Sequence, residues 1–230
     1  MRHKWELVFA ALLAATGAKA AVGVYPTMAP RAEYMMDRSA EIAMARTAAP
    51  PSISGDAGVL VLGAHGFEVA AKGTNGFVCM VERTWDRSFD DPEFWNPKTR
   101  GPVCLNPASV RTVLPMLMER AEWAMSGVSR EDMVRRSKTS AKANTTPAPG
   151  AMSFMLSREQ YLSDANPQWH PHVMFFSQKV DVAAWGANLK DSPVLGGPGT
   201  GKITMFFIPV RKWSDGTLAD YPADSGGHHH

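Results

Sequence analysis

Residues 55–83, GDAGVLVLGAHGFEVAAKGTNGFVCMVER, constrain the fold more than any other part of the chain. The runs 59–62, 67–71 and 76–82 are short and rich in β-branched and aromatic residues, and Gly63, Gly66, Gly73 and the Asn75-Gly76 pair punctuate them. Runs this short suit strands rather than helices, and the residues between them favour tight turns, so the spacing predicts a three-stranded antiparallel meander.

Helices flank this region. Ala32, Met35, Met36, Ser39, Ile42 and Ala43 recur at helical spacing, with Arg31, Glu33, Asp37, Arg38 and Glu41 on the opposite face, which predicts an amphipathic helix ended by Pro50-Pro51. Asn106 followed by Pro107 is a helix start, Pro115 should split that helix, and Gly127 should end it. Ser129 opens a further polar helix toward Ala143, and ANTTPAPG is a breaker-rich linker. Strands are expected again at 152–156, 172–177 and 203–210, with helical turns at 157–160 and 182–187 between them. Strands, then helices, then strands predict an α+β domain: a mostly antiparallel sheet, the meander plus C-terminal strands, flanked by helices over residues 31–218.

The first twenty residues read as an export signal. Arg2, His3 and Lys4 precede the apolar run LVFAALLAA, and Ala18-Lys19-Ala20 has the small-x-small form of a cleavage site. Residues 21–30 read as a loose arm, and 219–230, ending in ADSGGHHH, as a disordered, tag-like tail. Without Arg2, Lys4, Lys19 and Glu6, the 24 basic and 22 acidic residues fall to 21 of each. A neutral exported chain lacks the electrostatic footprint for nucleic acid or anionic lipid, and no apolar run is long enough to span a bilayer. In a periplasmic or extracellular setting the two cysteines, Cys79 and Cys104, are expected to form one disulfide.

GGPGTGK, at 196–202, has the glycine and lysine spacing of a phosphate-binding loop. Ile203 stands where that loop needs Ser or Thr, and ITMFFIPV reads as a strand rather than the helix whose N-terminus would face phosphate. A hairpin loop before a buried strand is the expectation.

Three constellations remain. His170 and His172 are two apart, and on one strand they would point to one face about 6–7 Å apart, a spacing that suits two ligands of a zinc or copper ion. A third ligand could come from His65 or from the acids of the 85–101 loop; Pro171 argues against His170 lying in the strand, and the alternative is that the pair closes a strand end with Trp169. No cofactor is required by the sequence. The 85–101 loop gathers Trp85, Asp90, Asp91, Glu93, Phe94 and Trp95, which could line a ligand site or fold back as a small core of their own. The methionine clusters fit adaptable core filling better than copper binding. Nucleophile motifs are absent: there is no G-x-S-x-G, and SKTSAK lacks the S-x-x-K lysine.

NGFVCMVERTW, DDPEFWNPKTRGPVC, PGAMSFMLS and WHPHVMFF, together with the leader, resemble a family of exported bacterial proteins with no assigned activity. The resemblance implies export and transfers no catalytic residue. The leading expectation is a non-enzymatic module that binds a small molecule or envelope component. The alternatives are a metal-dependent hydrolase using His170 and His172, and a structural envelope or interaction protein.

Overall fold

The Gly-Ala-His-Gly turn forms as its residues dictate: β1 (Gly58–Gly63) and β2 (Gly66–Ala71) pair antiparallel across it, with Gly66 at φ 128°. The structure, a computed structural model, describes residues 24–199 and 201–220, so the expected leader and most of the expected tail lie outside it.

The meander stops there. β3 (Val78–Glu82) does not add to β2 but lies on the other side of β1 and parallel to it, with Val59 beside Cys79. The chain reaches that position by passing under the start of β1: Gly58 N donates to Phe77 O and Thr74 N to Asp56 O. At this crossing a Cβ on Gly73 would stand 2.0 Å from Gly58 N, so only glycine fits between the two backbones. Glycine here serves a close crossing, not a hairpin turn.

β4 (Gly101–Leu105) pairs antiparallel with β3, followed by β5 (Met152–Met155), β6 (His172–Gln178), β7 (Leu195–Pro198) and β8 (Ile203–Pro209). One eight-stranded sheet results, in the order β2-β1-β3-β4-β5-β6-β8-β7, antiparallel at every junction except β1–β3. The chain is therefore α+β with a mixed, mostly antiparallel sheet. β7 and β8 are the hairpin partners expected around GGPGTGK; Gly201, at φ 66°, abuts the Ala143 carbonyl, and a strand rather than a helix follows.

Cys79 and Cys104 stand directly opposite each other in β3 and β4 and form the disulfide. They belong to the smaller of two apolar layers. On that face Ala45 of α1 (Arg38–Arg46) and Ala48 just after it pack with Val59, Val81 and both cysteines, and α2 (Pro51–Ser54) follows. Asp37 caps α1 by accepting from Ala40 N, so the helix expected from Ala32 begins six residues later. The Pro30 and Asp37 backbones interrupt the periodicity, leaving a single 3-10 turn at Arg31–Tyr34. Glu41, expected on the solvent face, is fully buried: it accepts from Leu62 N and from Arg83.

The larger apolar layer occupies the opposite face. α3 (Pro107–Thr112) lies over β4 and β5, and α4 (Leu114–Met125) packs against β2 and the turn after β3. Asn106 caps α3 and Pro115 stands at the break between the two helices, as the sequence predicts. Ser129 caps α5 (Arg130–Thr139), which buries Met133. The 157–160 stretch expected to turn helically does not do so; Ser157 Oγ instead accepts from Glu159 N. Residues 24–30 are tied down rather than loose: Tyr25 donates to Asp164, which also receives Tyr161 and Lys98, and Met28 and Ala29 pack against the core.

Candidate functional site

Alternation along two adjacent strands builds the floor of a cavity of about 970 Å³. His172, Met174 and Phe176 of β6 and Ile203, Met205 and Phe207 of β8 all line it, as a pleat that sends every second side chain to one face requires. Met174 lies opposite Phe207, and Phe176 opposite Met205. Val113, Met116 and Leu117 form the wall from α3 and α4, and Val134 and Ser137 that from α5. Gly199 and Gly201 of the β7–β8 turn close one end.

The chemistry lies where β3 ends. Glu82 is the last residue of β3, and Arg83 and the 3-10 turn Thr84–Asp86 follow directly. Glu82, Arg83, Asp86 and Arg87 all line the cavity. Opposite Glu82 in β4 stands Gly101, also in the lining, with the Met155 methyl and the Glu82 side chain close above it. Surrounding protein raises the Glu82 carboxyl, and the nearby Asp86 charge raises it further; Arg87 and Arg120 oppose this. Burial likewise raises Asp86, against Arg120, the Arg83 N–H and the Arg83 charge. The two carboxyls titrate as a pair, and each resists losing its proton while the other is charged.

Three guanidiniums surround them. Arg83 is buried, pairs with Glu41 at 2.8 Å, and donates to Tyr34 O and Val81 O. Arg87 pairs with Asp91 at 2.9 Å. Arg120 comes from α4, is fully buried, donates to Arg87 O and lies 4.2 Å over the Phe89 ring; burial holds it down to about 10. The charges interlock: Arg87 acts on Glu82 as well as Asp91, Arg83 on Asp86 as well as Glu41, and Arg120 on both Glu82 and Asp86, while Lys138 also lines the cavity. Several buried polar atoms at the cavity have no hydrogen-bond partner among the described residues: Asp86 Oδ1, the hydroxyl of Thr99 (3% exposed) and that of Ser137 (8% exposed).

The histidine pair is divided. His172 lies in the cavity lining, 2% exposed, with its ring edge-on to Trp169 at 4.5 Å. Its Nδ1 is 2.8 Å from His170 O; a carbonyl only accepts, so Nδ1 carries the hydrogen and Nε2 is the acceptor nitrogen. Burial pushes the ring down to about 4, and it is neutral in the physiological range. His170 precedes β6, so the strand geometry expected of the pair does not hold for it. His65 is exposed in the β1–β2 turn. β3, β4 and β5 separate β1 from β6, about 19 Å at ordinary strand spacing, so His65 does not join the pair. Among the described residues there is no group of three or more His, Cys, Asp or Glu that could hold a metal ion.

The 85–101 loop splits as well. Trp85, Phe94 and Trp95 are buried in the main core, with Phe94 and Trp95 edge-to-face at 4.7 Å. Glu93 binds Asn96 and the Asp164 N–H and is absent from the cavity lining. Asp90 and Asp91 do line the cavity, beside Phe89. Glu82, Asp86, Gly101 and Arg120 escaped the sequence reading. Arg120 carried a signal: it sits three residues after Leu117 and four before Ala124, on the apolar stripe of α4, where a charge needs a buried partner.

No protein-family model, curated protein or solved structure matches the chain.

Proposed function

We propose that the chain is an exported binding protein that captures a largely apolar small molecule, free or as part of an envelope component. The cavity carries the reading. Its volume is that of small-molecule sites, its floor is methionine, phenylalanine and aliphatic side chains, and charged and polar groups, Glu82, Asp86, Arg87, Ser137 and Lys138 among them, line the rest. The disulfide accords with an oxidising compartment. A metal-dependent hydrolase on His170 and His172 finds no third ligand among the described residues, and a purely structural role gives no reason for a cavity of this size.

The test is a fluorescence titration with N-phenyl-1-naphthylamine, an uncharged apolar probe that brightens when it leaves water. The wild-type protein should bind it saturably at one per chain. Met205→Trp, which puts bulk on the cavity floor, should weaken that binding at least tenfold while leaving the fold intact by circular dichroism. Unsaturable binding, or binding unaffected by the substitution, would refute the reading.

A further inference from the structure

His172 closes one end of the β6–β8 ladder, opposite Pro209. With Trp169 and Phe207 it makes a three-ring cluster, all of it in the cavity lining: Trp169 stands 4.5 Å from His172 and 6.2 Å from Phe207, and His172 stands 5.9 Å from Phe207. Its Nδ1–H is committed to the His170 carbonyl, which fixes the tautomer. Nε2, at the distal edge of the ring, is then a pure acceptor, and no group among the described residues donates to it. The residue is 2% exposed, and burial keeps the ring neutral at pH 7, so Nε2 does not become a donor there. The cations of the lining do not serve it. Arg83 and Arg87 bind Glu41 and Asp91, and Arg120 donates to the Arg87 carbonyl. Ile203 pairs with Gln178 at the other end of the ladder, about 20 Å away at ordinary strand rise. The exposed Lys138 belongs with that far end: Asn144 donates to its carbonyl, and the neighbouring Ala143 carbonyl abuts Gly201, two residues before Ile203.

We infer that the ligand is an apolar molecule bearing a hydroxyl or N–H group, and that it donates this hydrogen to His172 Nε2 beside Trp169 and Phe207 while its body extends toward Met174 and Met205. The inference rests on the proposed binding role and names the ligand class for the same cavity. A hydroxyl or N–H satisfies the nitrogen as the ligand excludes water from it. A hydrocarbon, an ether or a carbonyl strips the nitrogen of solvent and returns no hydrogen bond, and a carboxylate brings lone pairs against a lone pair. A site with one buried acceptor therefore discriminates against the analogue that lacks the donor.

Two near-isosteric probes test this by calorimetry at pH 7: 1-naphthol, and 1-methylnaphthalene, which has a methyl group in place of the hydroxyl and is the more apolar of the two. The wild-type protein should bind 1-naphthol at least about fivefold tighter, and His172→Phe should reverse the order. By nitrogen–proton NMR of the wild-type protein, the His172 Nε2 resonance should lie further upfield, the direction of a hydrogen-bonded acceptor, with 1-naphthol bound than with 1-methylnaphthalene bound. Equal or tighter binding of 1-methylnaphthalene by the wild-type protein would overturn the donor requirement and leave the apolar cavity standing. A naphthol preference that survives His172→Phe, or the same Nε2 position in both complexes, would overturn the part given to His172. Failure of both probes to bind would overturn the cavity reading as well. The nitrogen spectrum decides the part of His172 even if the variant does not fold.

Discussion

Glu82 and Gly101 face each other across the β3–β4 ladder, and a Cβ on Gly101 would stand 3.6 Å from Glu82 Cβ and 3.3 Å from the terminal methyl of Met155. The absent side chain lets the Met155 methyl and the Glu82 side chain close over the β4 backbone. Gly101→Ala should be well tolerated, because the tight contact is the flexible end of a methionine. Gly101→Leu should push the Met155 methyl and the Glu82 side chain into the cavity and weaken probe binding at least tenfold, about 1.4 kcal/mol. Titrating both variants with N-phenyl-1-naphthylamine checks this; full affinity in the leucine variant would remove Gly101 from the site.

Glu82 should make stability fall as pH rises. Its carboxyl is raised in the folded protein, so the folded state keeps a proton that the unfolded chain releases above its ordinary carboxylate range. The stabilisation is complete at low pH and is lost as pH rises through the folded titration. Asp86 and Arg87 beside it and Arg120 from α4 are the charges that face it. Glu82→Gln carries no such charge, so its stability relative to wild type should increase between pH 5 and pH 8 in urea denaturation. A constant difference would mean that Glu82 ionises normally.

His172 acts with the opposite slope. Its ring is pushed down to about 4, so between that value and about 6.5 the unfolded chain takes up a proton that the folded protein refuses. Stability from this group is intact above about pH 6.5 and declines toward pH 4, by about 2–4 kcal/mol in total. His172→Gln should lose less stability than wild type when pH is lowered from 7 to 4.5. An equal loss in both proteins would place the acid sensitivity elsewhere.

The Arg83–Glu41 pair is fully buried and should show non-additivity. Arg83→Ala leaves Glu41 charged and unpaired and should cost about 3–5 kcal/mol. Arg83→Met combined with Glu41→Leu removes both charges and should cost less than the single change in urea denaturation. A double variant as unstable as the single one would show that the arginine's bonds to Tyr34 O and Val81 O, not the charge pair, hold the turn before Asp86.

Reduction tests the cross-strand bridge. Opening a linkage between residues 25 apart should lower stability by about 3–4 kcal/mol on the chain-entropy account. Denaturation with and without reductant, beside Cys79→Ala/Cys104→Ala, measures it; a midpoint insensitive to both would show that the bridge adds nothing to a sheet already formed.

Local signals carried well into the fold. Asn106 before Pro107, Pro115, Gly127, Ser129 and the Gly63–Gly66 turn each act within a few residues, and each does in the structure what its chemistry dictates. The β3 placement was not legible, because Gly73 reads equally as a turn residue and as a residue that lets two backbones cross. Glu41 shows the same limit: its helical face is visible in sequence, but Arg83, which draws it inside, lies 42 residues away. The candidate site was legible in part. His172, Asp90 and Asp91 were named and do line the cavity, whereas Trp85, Phe94 and Trp95 join the main core rather than forming a small core of their own. Glu82, Asp86 and Arg120 meet only when β3, the turn after it and α4 are brought together, and no spacing within one segment encodes that.

The most direct test is to watch the methionine methyl groups by carbon–proton NMR while the apolar probe is added. Met116, Met155, Met174 and Met205 line the cavity, whereas Met44, on α1, packs on the smaller apolar layer and Met133, on α5, is buried without lining the cavity. The account predicts that the first four resonances shift together and saturate at one probe per chain while Met44 and Met133 stay in place. Saturating shifts confined to methionines outside the cavity, or no shift at any of the four, would contradict it.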